Sequence, residues 1–568
     1  MRFILIFFLL FSSFISNAKC NISPENKNYF GSPLKIPLLL SGNFGELRSN
    51  NFHAGIDIKT QGKIGLQVCA AADGYISRIK ISPYGYGLAL YINHPNGFTT
   101  VYGHLSQFAP AIEKYAREEQ YRTEKFDIDI NIPANVFVVK KGEYIALSGN
   151  TGGSGGPHLH FEIRETISEH PINPLLFNFN IKDTTPPLIK SLMVYPISPN
   201  ASVNGKHAQQ DFTVTNNTIP EKISANGTIG LGIYADETLD GSANKCGIFE
   251  CALQVNNETI YTFKMDELDF DERRYANSYM DYAYFKKNNI RYQKSFVDKN
   301  NQLNNFETLI NNGTFSIQES DTANIKYLIS DTYGNNSSLR FQIFGEKDKE
   351  NPNKILNGTF IKCQEEIQLE TENSKLLFDK NTFYNDLYID YSESTLPNSI
   401  HAPHITIGNE LIPAHRNFEL QIKAHNIPNK YIEKVGIALI DKYGKIKQFT
   451  PAKNNDNWIC GSINTLGKYT VAIDSIKPEI KALSIDNNQS LNNPNQLNFL
   501  ISDNLSGIQS WRGEIDGEWV LFQYEYKQKK LFYIFDNSRL KMNQKHSLKL
   551  SVVDAAGNSA NYEASFFK

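Results

Sequence analysis

What most constrains this chain is how its apolar residues are parcelled out. They come in short stretches that alternate with polar residues and are cut by turn pairs such as Asp73-Gly74, Asn96-Gly97, Lys141-Gly142 and Gly557-Asn558. A period of two with frequent Gly, Asn and Asp breaks belongs to strands and tight turns, not to helices. A mainly β protein is therefore expected. At 568 residues the chain is too long for one hydrophobic core, so several domains must share it. Hydrophobic residues at 40% and charged residues at 21% are globular proportions and exclude wholesale disorder. A net charge of −3 gives no basic footprint, so nucleic acid is excluded as a partner.

The N-terminus reads as an export signal over residues 1–18. Arg2 is followed by the apolar run Phe3 to Phe11 and then by Ser16-Asn17-Ala18, small residues at the positions a signal peptidase reads. The run is too short for a membrane span, and no later stretch reaches that length. Cys20 could end a lipoprotein signal, but Lys19 stands where a small residue is needed, so lipidation is disfavoured. Of the remaining cysteines, Cys246 and Cys251 are near enough to pair in a turn or to be two buried thiols; Cys69, Cys363 and Cys460 have no paired spacing.

Residues 30–182 form one unit. Gly65 to Ile81, broken at Asp73-Gly74, predicts one hairpin; Leu88 to Asn93 and Phe98 to Leu105, separated by His94-Pro95-Asn96-Gly97, predict a second; Val136 to Val139 and Tyr144 to Leu147 flank a third turn. Ala111 to Lys125 differs, with Ile112, Tyr115 and Ala116 on one side, and predicts a helical insertion. Beyond it, Asp183-Thr184-Thr185-Pro186-Pro187 and Asp474-Ser475-Ile476-Lys477-Pro478 each open a strand-rich segment. Each segment closes on a D-x-x-G-N turn, Asp331 to Asn335 and Asp554 to Asn558, and each holds an acidic turn, at Asp236 and Asp503. These repeats predict β-sandwich modules of immunoglobulin or fibronectin type at 183–345 and 474–568, with a divergent β domain at 346–473 between them. Stiff linkers suggest beads on a spacer, a surface for a protein partner, and a first unit able to fold alone when cut near Asp183.

Chemistry concentrates in the first unit. Of the 12 histidines, five lie between His53 and His160: His53, His94, His104, His158 and His160. From His158 to Arg164 the sequence alternates strictly, so His158, His160, Glu162 and Arg164 share one strand face and Leu159, Phe161 and Ile163 the other. His53 and Asp57 are four apart, with Gly55 between them to allow a bend. Imidazole plus carboxylate suits Zn²⁺, and one further histidine would give three protein ligands with a position left for water, the catalytic pattern. His104 ends a strand rich in aromatic and β-branched residues. Glu162 is read as a solvated strand-end carboxylate in preference to an orienting partner, His94 as structural, and His401, His404 and His415 as surface residues.

Taken together, HAGID (His53, Asp57), YGHLS (His104) and SGNTGGSGGPHLHFE (Ser148 to Glu162), with the AAADG and NHPNG turns, resemble the lysostaphin-type, LytM-like peptidoglycan metalloendopeptidases over about residues 40–165. The resemblance implies an antiparallel β-sheet metallopeptidase domain holding one zinc per chain. It implies His53, Asp57 and His160 as ligands, and His104 and His158 as catalytic residues. It also implies peptidoglycan stem peptides as substrate. With no recognisable wall-binding module, the directly cross-linked wall of a Gram-negative envelope or periplasm is expected. A non-hydrolytic activator of other wall hydrolases and an adhesin are the rival readings. The insertion at 111–135 is longer than the family needs and could be a lid, a partner site or a plug.

Overall fold

The computed structural model describes residues 22–347, 358–394, 401–485, 491, 493 and 495–568; the expected export signal and Cys20 lie outside them. Among the described residues no helix is long and apolar enough to cross a membrane.

The first unit is built on a nine-stranded sheet. Its main path uses β1 (Leu40–Gly42), β2 (Ile56–Lys59), β3 (Gly74–Ile81), β4 (Leu88–Asn93), β5 (Phe98–Leu105), β6 (Ile128–Asn131) and β7 (His158–Glu165), in the spatial order β1-β2-β7-β5-β4-β3-β6. Every pairing on this path is antiparallel. Alternation sends Ile56, Ile58, Leu159, Phe161 and Ile163 into the core, all fully buried. Each such side chain contributes roughly 1.5–3 kcal/mol. The same alternation leaves Asp57, His160 and Glu162 on the opposite face.

The hairpin across His94 to Gly97 forms as expected, with β4 and β5 adjacent. The one across Asp73-Gly74 does not. Gln67–Cys69 pairs with Tyr144–Leu147 in a separate three-stranded sheet, while β3 pairs with β4. The buried Ala70, Ala71 and Ala72 are small enough to carry the chain between the two sheets. Asp73 there accepts the Lys141 N–H at 2.8 Å instead of closing a two-residue turn. The third turn likewise joins two sheets, since Val138–Val139 pairs with β3. The insertion contains helix α1 (Pro110–Thr123), which buries Ile112, Ala116 and Gln120, and then β6, which extends the sheet edge.

The remainder is mainly β, with short helices at Ala276–Tyr279 and Tyr282–Asn288 in the first module. In the first module the long strand Ile223–Asp236 serves two layers, pairing in parallel with Asn336–Gly345 at its start and antiparallel with Leu188–Pro196 at its end. Two five-stranded sheets follow around the core from Ile361 to Val471, and two four-stranded sheets around the core from Ile485 to Phe566. Cys246 and Cys251 do not pair: all five described cysteines are free, and burial pushes these two thiols up to about 12.

The modules are not strung out as beads. Phe44, Leu47 and Phe52 of the first unit are buried in the core of the first sandwich, beside Ile248, Met265 and Tyr279. Asn43 and Gly247 exchange two hydrogen bonds, at 2.6 and 2.8 Å. The last module folds back onto the insertion: Trp519 meets the Tyr121 ring at 5.1 Å, and Arg512 bonds Glu124 at 2.6 Å. Its Lys527 reaches the carbonyls of Asn150 and Ser154.

Candidate metal centre

Register brings the candidate residues together. In the β7–β2 pair His160 lies opposite Asp57, and in the β7–β5 pair it lies opposite Gly103. His53 stands just before β2 and turns back over it. Gly55 is needed less for a bend than for approach, because a Cβ there would meet the Phe161 carbonyl at 2.4 Å. His53 Nε2 lies 3.0 Å from Asp57 Oδ1, His160 Nδ1 lies 2.9 Å from the same oxygen, and the two imidazole nitrogens are 3.1 Å apart. All three residues are buried.

His104 arrives by a different route. In a regular strand it would face away from its neighbour Gly103, and so away from His160. The β4–β5 register slips between Leu88 and Leu90, and His104 adopts φ +58°, a left-handed conformation uncommon outside glycine. That bulge turns the ring onto the site, with its centroid 4.8 Å from His158 and 5.8 Å from His160. Backbone strain of this kind is held at sites where the surroundings over-determine it.

Carbonyl partners fix the protons, since a carbonyl can only accept. His53 Nδ1 donates to Asn43 O at 2.7 Å, which leaves Nε2 as a lone pair facing Asp57 and His160. His104 Nδ1 donates to Thr151 O at 2.8 Å and His158 Nδ1 lies 2.8 Å from Gly156 O, so each ring turns Nε2 to the site; that of His158 lies 3.3 Å from Asp57 Oδ1. Burial, then His160 and His158, lower His104 to about 3, and it is neutral at any physiological pH. Burial alone would raise Asp57, but the surrounding histidines hold it well below the usual carboxylate range. Arg48 occupies its other oxygen, Oδ2, at 3.0 Å, leaving Oδ1 for the cluster.

The chemistry of this donor set suits a cation. A carboxylate oxygen and two imidazole nitrogens converge with no hydrophobic filler between them. Burial would lower His160, yet its bonds to Asp57 and Glu162 raise it to about 9, the mark of a pocket whose carboxylates favour positive charge. Tetrahedral zinc bonded at about 2.0–2.2 Å sets its ligands roughly 3.3 Å apart, close to the separations here. His53, Asp57 and His160 are thus the residues that could hold such an ion.

Glu162 is not a solvated strand-end carboxylate. It is fully buried, it accepts from His160 Nε2 at 2.7 Å and from Arg164 Nε at 2.7 Å, and the Tyr86 hydroxyl donates to it as well. Burial would raise it, but Arg164 and His160 bring it to about 2. It therefore keeps a proton on His160 Nε2 and turns Nδ1 toward the cluster. The i, i+2 spacing from His160 carried this signal; the lid of Tyr86 that excludes water had none. His94 is structural as expected, tied to Asp73 O and Thr100 Oγ1. His401, expected at the surface, is partly buried; His404 is buried, and His415 stacks on Tyr275 at 4.3 Å.

These groups line a cleft of about 850 Å³. Tyr84, Tyr86 and Gly153 to Gly155 form one side, and Leu268, Asp269, Phe270 and Arg273 of the first sandwich form another. No sequence pattern marked that second wall.

Comparison with known families places the segment that holds this cluster. Residues 51–120 and 135–174 match peptidase family M23. The chain carries an M23 peptidase domain. The unmatched stretch between those two segments falls at the end of α1 and in β6, within the insertion. M23 peptidases are zinc metallopeptidases. The DD-carboxypeptidase/endopeptidase Mpg of Neisseria meningitidis serogroup B is 36% identical over 129 residues, 23% of this chain and 23% of that protein. The peptidoglycan DD-endopeptidase ShyA of Vibrio cholerae is 29% identical over 134 residues, 24% of this chain and 25% of that protein. The chain thus spans about a quarter of the length of the curated relatives it matches. A solved zinc-containing peptidase from Vibrio cholerae is 26% identical, covering 26% of this chain and 39% of that one, at a TM-score of 0.19. Residues 358–474, within the stretch between the two repeats, match a Zu5-like domain.

Proposed function

We propose that this protein is an exported, zinc-dependent endopeptidase that hydrolyses peptide cross-links of peptidoglycan in the cell envelope. The observation that carries the reading is the convergence of His53, Asp57 and His160 on one point, with Nε2 of His104 and of His158 turned toward it. The M23 match and the wall-peptidase relatives supply the reaction class and the substrate.

When bound, zinc supplies a Lewis acid that polarises the scissile carbonyl and acidifies water. His53 Nε2, Asp57 Oδ1 and His160 Nδ1 hold it. One of His104 and His158 takes up the water proton on Nε2 and passes it to the leaving amine, while the other lies beside the oxygen that gains charge. The carbonyls of Thr151 and Gly156 hold each ring by Nδ1, so that Nε2 is the nitrogen turned to this work. Phe270 and Tyr84 border the cleft through which an extended stem peptide reaches these groups.

The test is metal content set against digestion of purified sacculi. Wild type should carry one zinc per chain and release cross-linked stem peptides as monomers. His160→Ala should lose the zinc. His104→Ala and His158→Ala should keep it and lose roughly 10²–10⁴-fold in rate. Full zinc retention by His160→Ala, or wild-type digestion by either catalytic variant, overturns the assignment. A zinc-loaded wild type that leaves sacculi intact overturns the activity itself.

A further inference from the structure

Two groups of three carboxylates lie outside the M23 cleft: Asp183, Glu237 and Asp331, and Asp474, Asp503 and Asp554. Within each group the ligand-type oxygens are within 4.8 Å of one another. The same frame builds both. Asp331 Oδ1 accepts the N–H groups of Tyr333 and Asn335 at 2.8 and 2.9 Å, and Asn335 Nδ2 donates to Asp331 Oδ2 at 2.7 Å and to the Asp183 carbonyl at 3.2 Å. In the last module Asp554 Oδ1 accepts from Ala556 and Asn558 at 2.9 and 2.8 Å. Asn558 Nδ2 there donates to Asp554 Oδ2 at 2.8 Å and to the Asp474 carbonyl at 2.9 Å. The repeated D-x-x-G-N turn is therefore a device that sets one carboxylate against the aspartate opening its module.

Glu237 makes the first group more than an acidic cluster. It is 1% exposed, and both of its carboxylate oxygens are buried with no hydrogen-bond partner. The Thr238 N–H beside it falls short of hydrogen-bond geometry. Its neighbours in the group, Asp183 and Asp331, are 9% and 6% exposed. Burial and then those two charges raise Glu237 to about 8. The nearby cations are engaged elsewhere: Lys245 bonds Asp236 at 2.8 Å, and Lys182 lies 4.0 Å from Asp240. The acidic turn marked in sequence at Asp236 thus works through the next residue, which strand alternation points inward. A buried carboxylate without a donor needs a counter-charge.

The three side chains line a cavity of about 10 Å³ that Asn43 and Asn173 of the first unit border as well. That volume admits one water-sized occupant. All the charged donors are oxygen, which selects a hard cation over zinc. A site with room for one occupant cannot keep the waters that Mg²⁺ retains, whereas Ca²⁺ accepts carboxylates in mono- or bidentate fashion. We propose that Asp183, Glu237 and Asp331 form a calcium site at the junction between the M23 domain and the first sandwich.

The test uses the full chain, passed over a calcium-chelating resin and reloaded with zinc, so that its outcome is independent of the catalytic centre. Calorimetric titration with CaCl₂ should show uptake, and calcium should raise the melting temperature. Glu237→Gln should bind one Ca²⁺ fewer and lose most of that rise. Without calcium it should be at least as stable as wild type, because a like-charge contact is removed; a purely structural residue would not behave so. Terbium bound to wild type should emit through the nearby Tyr333 and be displaced by calcium, a readout that needs no variant. The proposal falls if millimolar calcium gives neither heat nor a shift in melting, if Glu237→Gln keeps the wild-type stoichiometry, or if magnesium produces the same shift as calcium.

Discussion

Glu162 decides which nitrogen of His160 faces the cluster, and Arg164 keeps Glu162 ionised in turn. Partners of this kind tune metal affinity by about 10–100-fold. Glu162→Gln should accordingly weaken zinc binding by that factor in a chelator competition. It should also cost about 3 kcal/mol in a thermal melt, because buried Arg164 is left with only the exposed Glu169 carboxylate, 3.4 Å from its Nη1; unchanged zinc affinity would remove Glu162 from the site. At this scale legibility depended on how local each cause is. His158 and His160 could be read because a strand's period of two fixes their faces. The inward turn of His104 could not, since it rests on a register slip against β4 and a positive φ. The burial of Glu162 depends on the Tyr86 hydroxyl, 76 residues away.

The glycine-rich segment 149–156 acts as a brace for His104. Thr151 accepts from His104 through its carbonyl, donates from Oγ1 to Leu105 O at 2.7 Å, and accepts the Leu88 N–H at 3.0 Å. Gly152 lets this brace close onto the turn before β4: its φ is +67°, and a Cβ would meet Gly87 N at 2.3 Å. Gly152→Ala should therefore displace Thr151 and cut wall hydrolysis at least tenfold, with zinc content unchanged. Wild-type activity in that variant would show that the brace tolerates movement. Among the elements, α1 and the β4–β5 hairpin were legible because each is closed by neighbours in sequence. The partners of Gln67–Cys69 and Val138–Val139 were not, because a turn pair marks a change of direction without saying whether the chain returns to the same sheet.

Across the molecule, proline-bearing linkers suggested separable beads, but the residues that join the units are ordinary apolar ones with no pattern of their own. Phe44, Leu47 and Phe52 are at most 8% exposed only because the first sandwich covers them. A fragment ending at Asp183 would uncover all three, at roughly 1.5–3 kcal/mol each, and would lose the cleft wall from Leu268 to Arg273. It should aggregate or fail to hold zinc, whereas a fragment ending at residue 347 should run as a soluble, zinc-loaded monomer on gel filtration. A stable, zinc-loaded fragment at Asp183 would show the shared core to be dispensable. That core also imposes an order in time. Asn43 waits for Gly247, 204 residues later, before the segment leading to His53 can settle. At about 5–20 residues per second of synthesis, that is a delay of roughly 10 to 40 seconds. During it the growing chain cannot bring His53 up to Asp57 and His160, so the cluster closes only once most of the first sandwich exists.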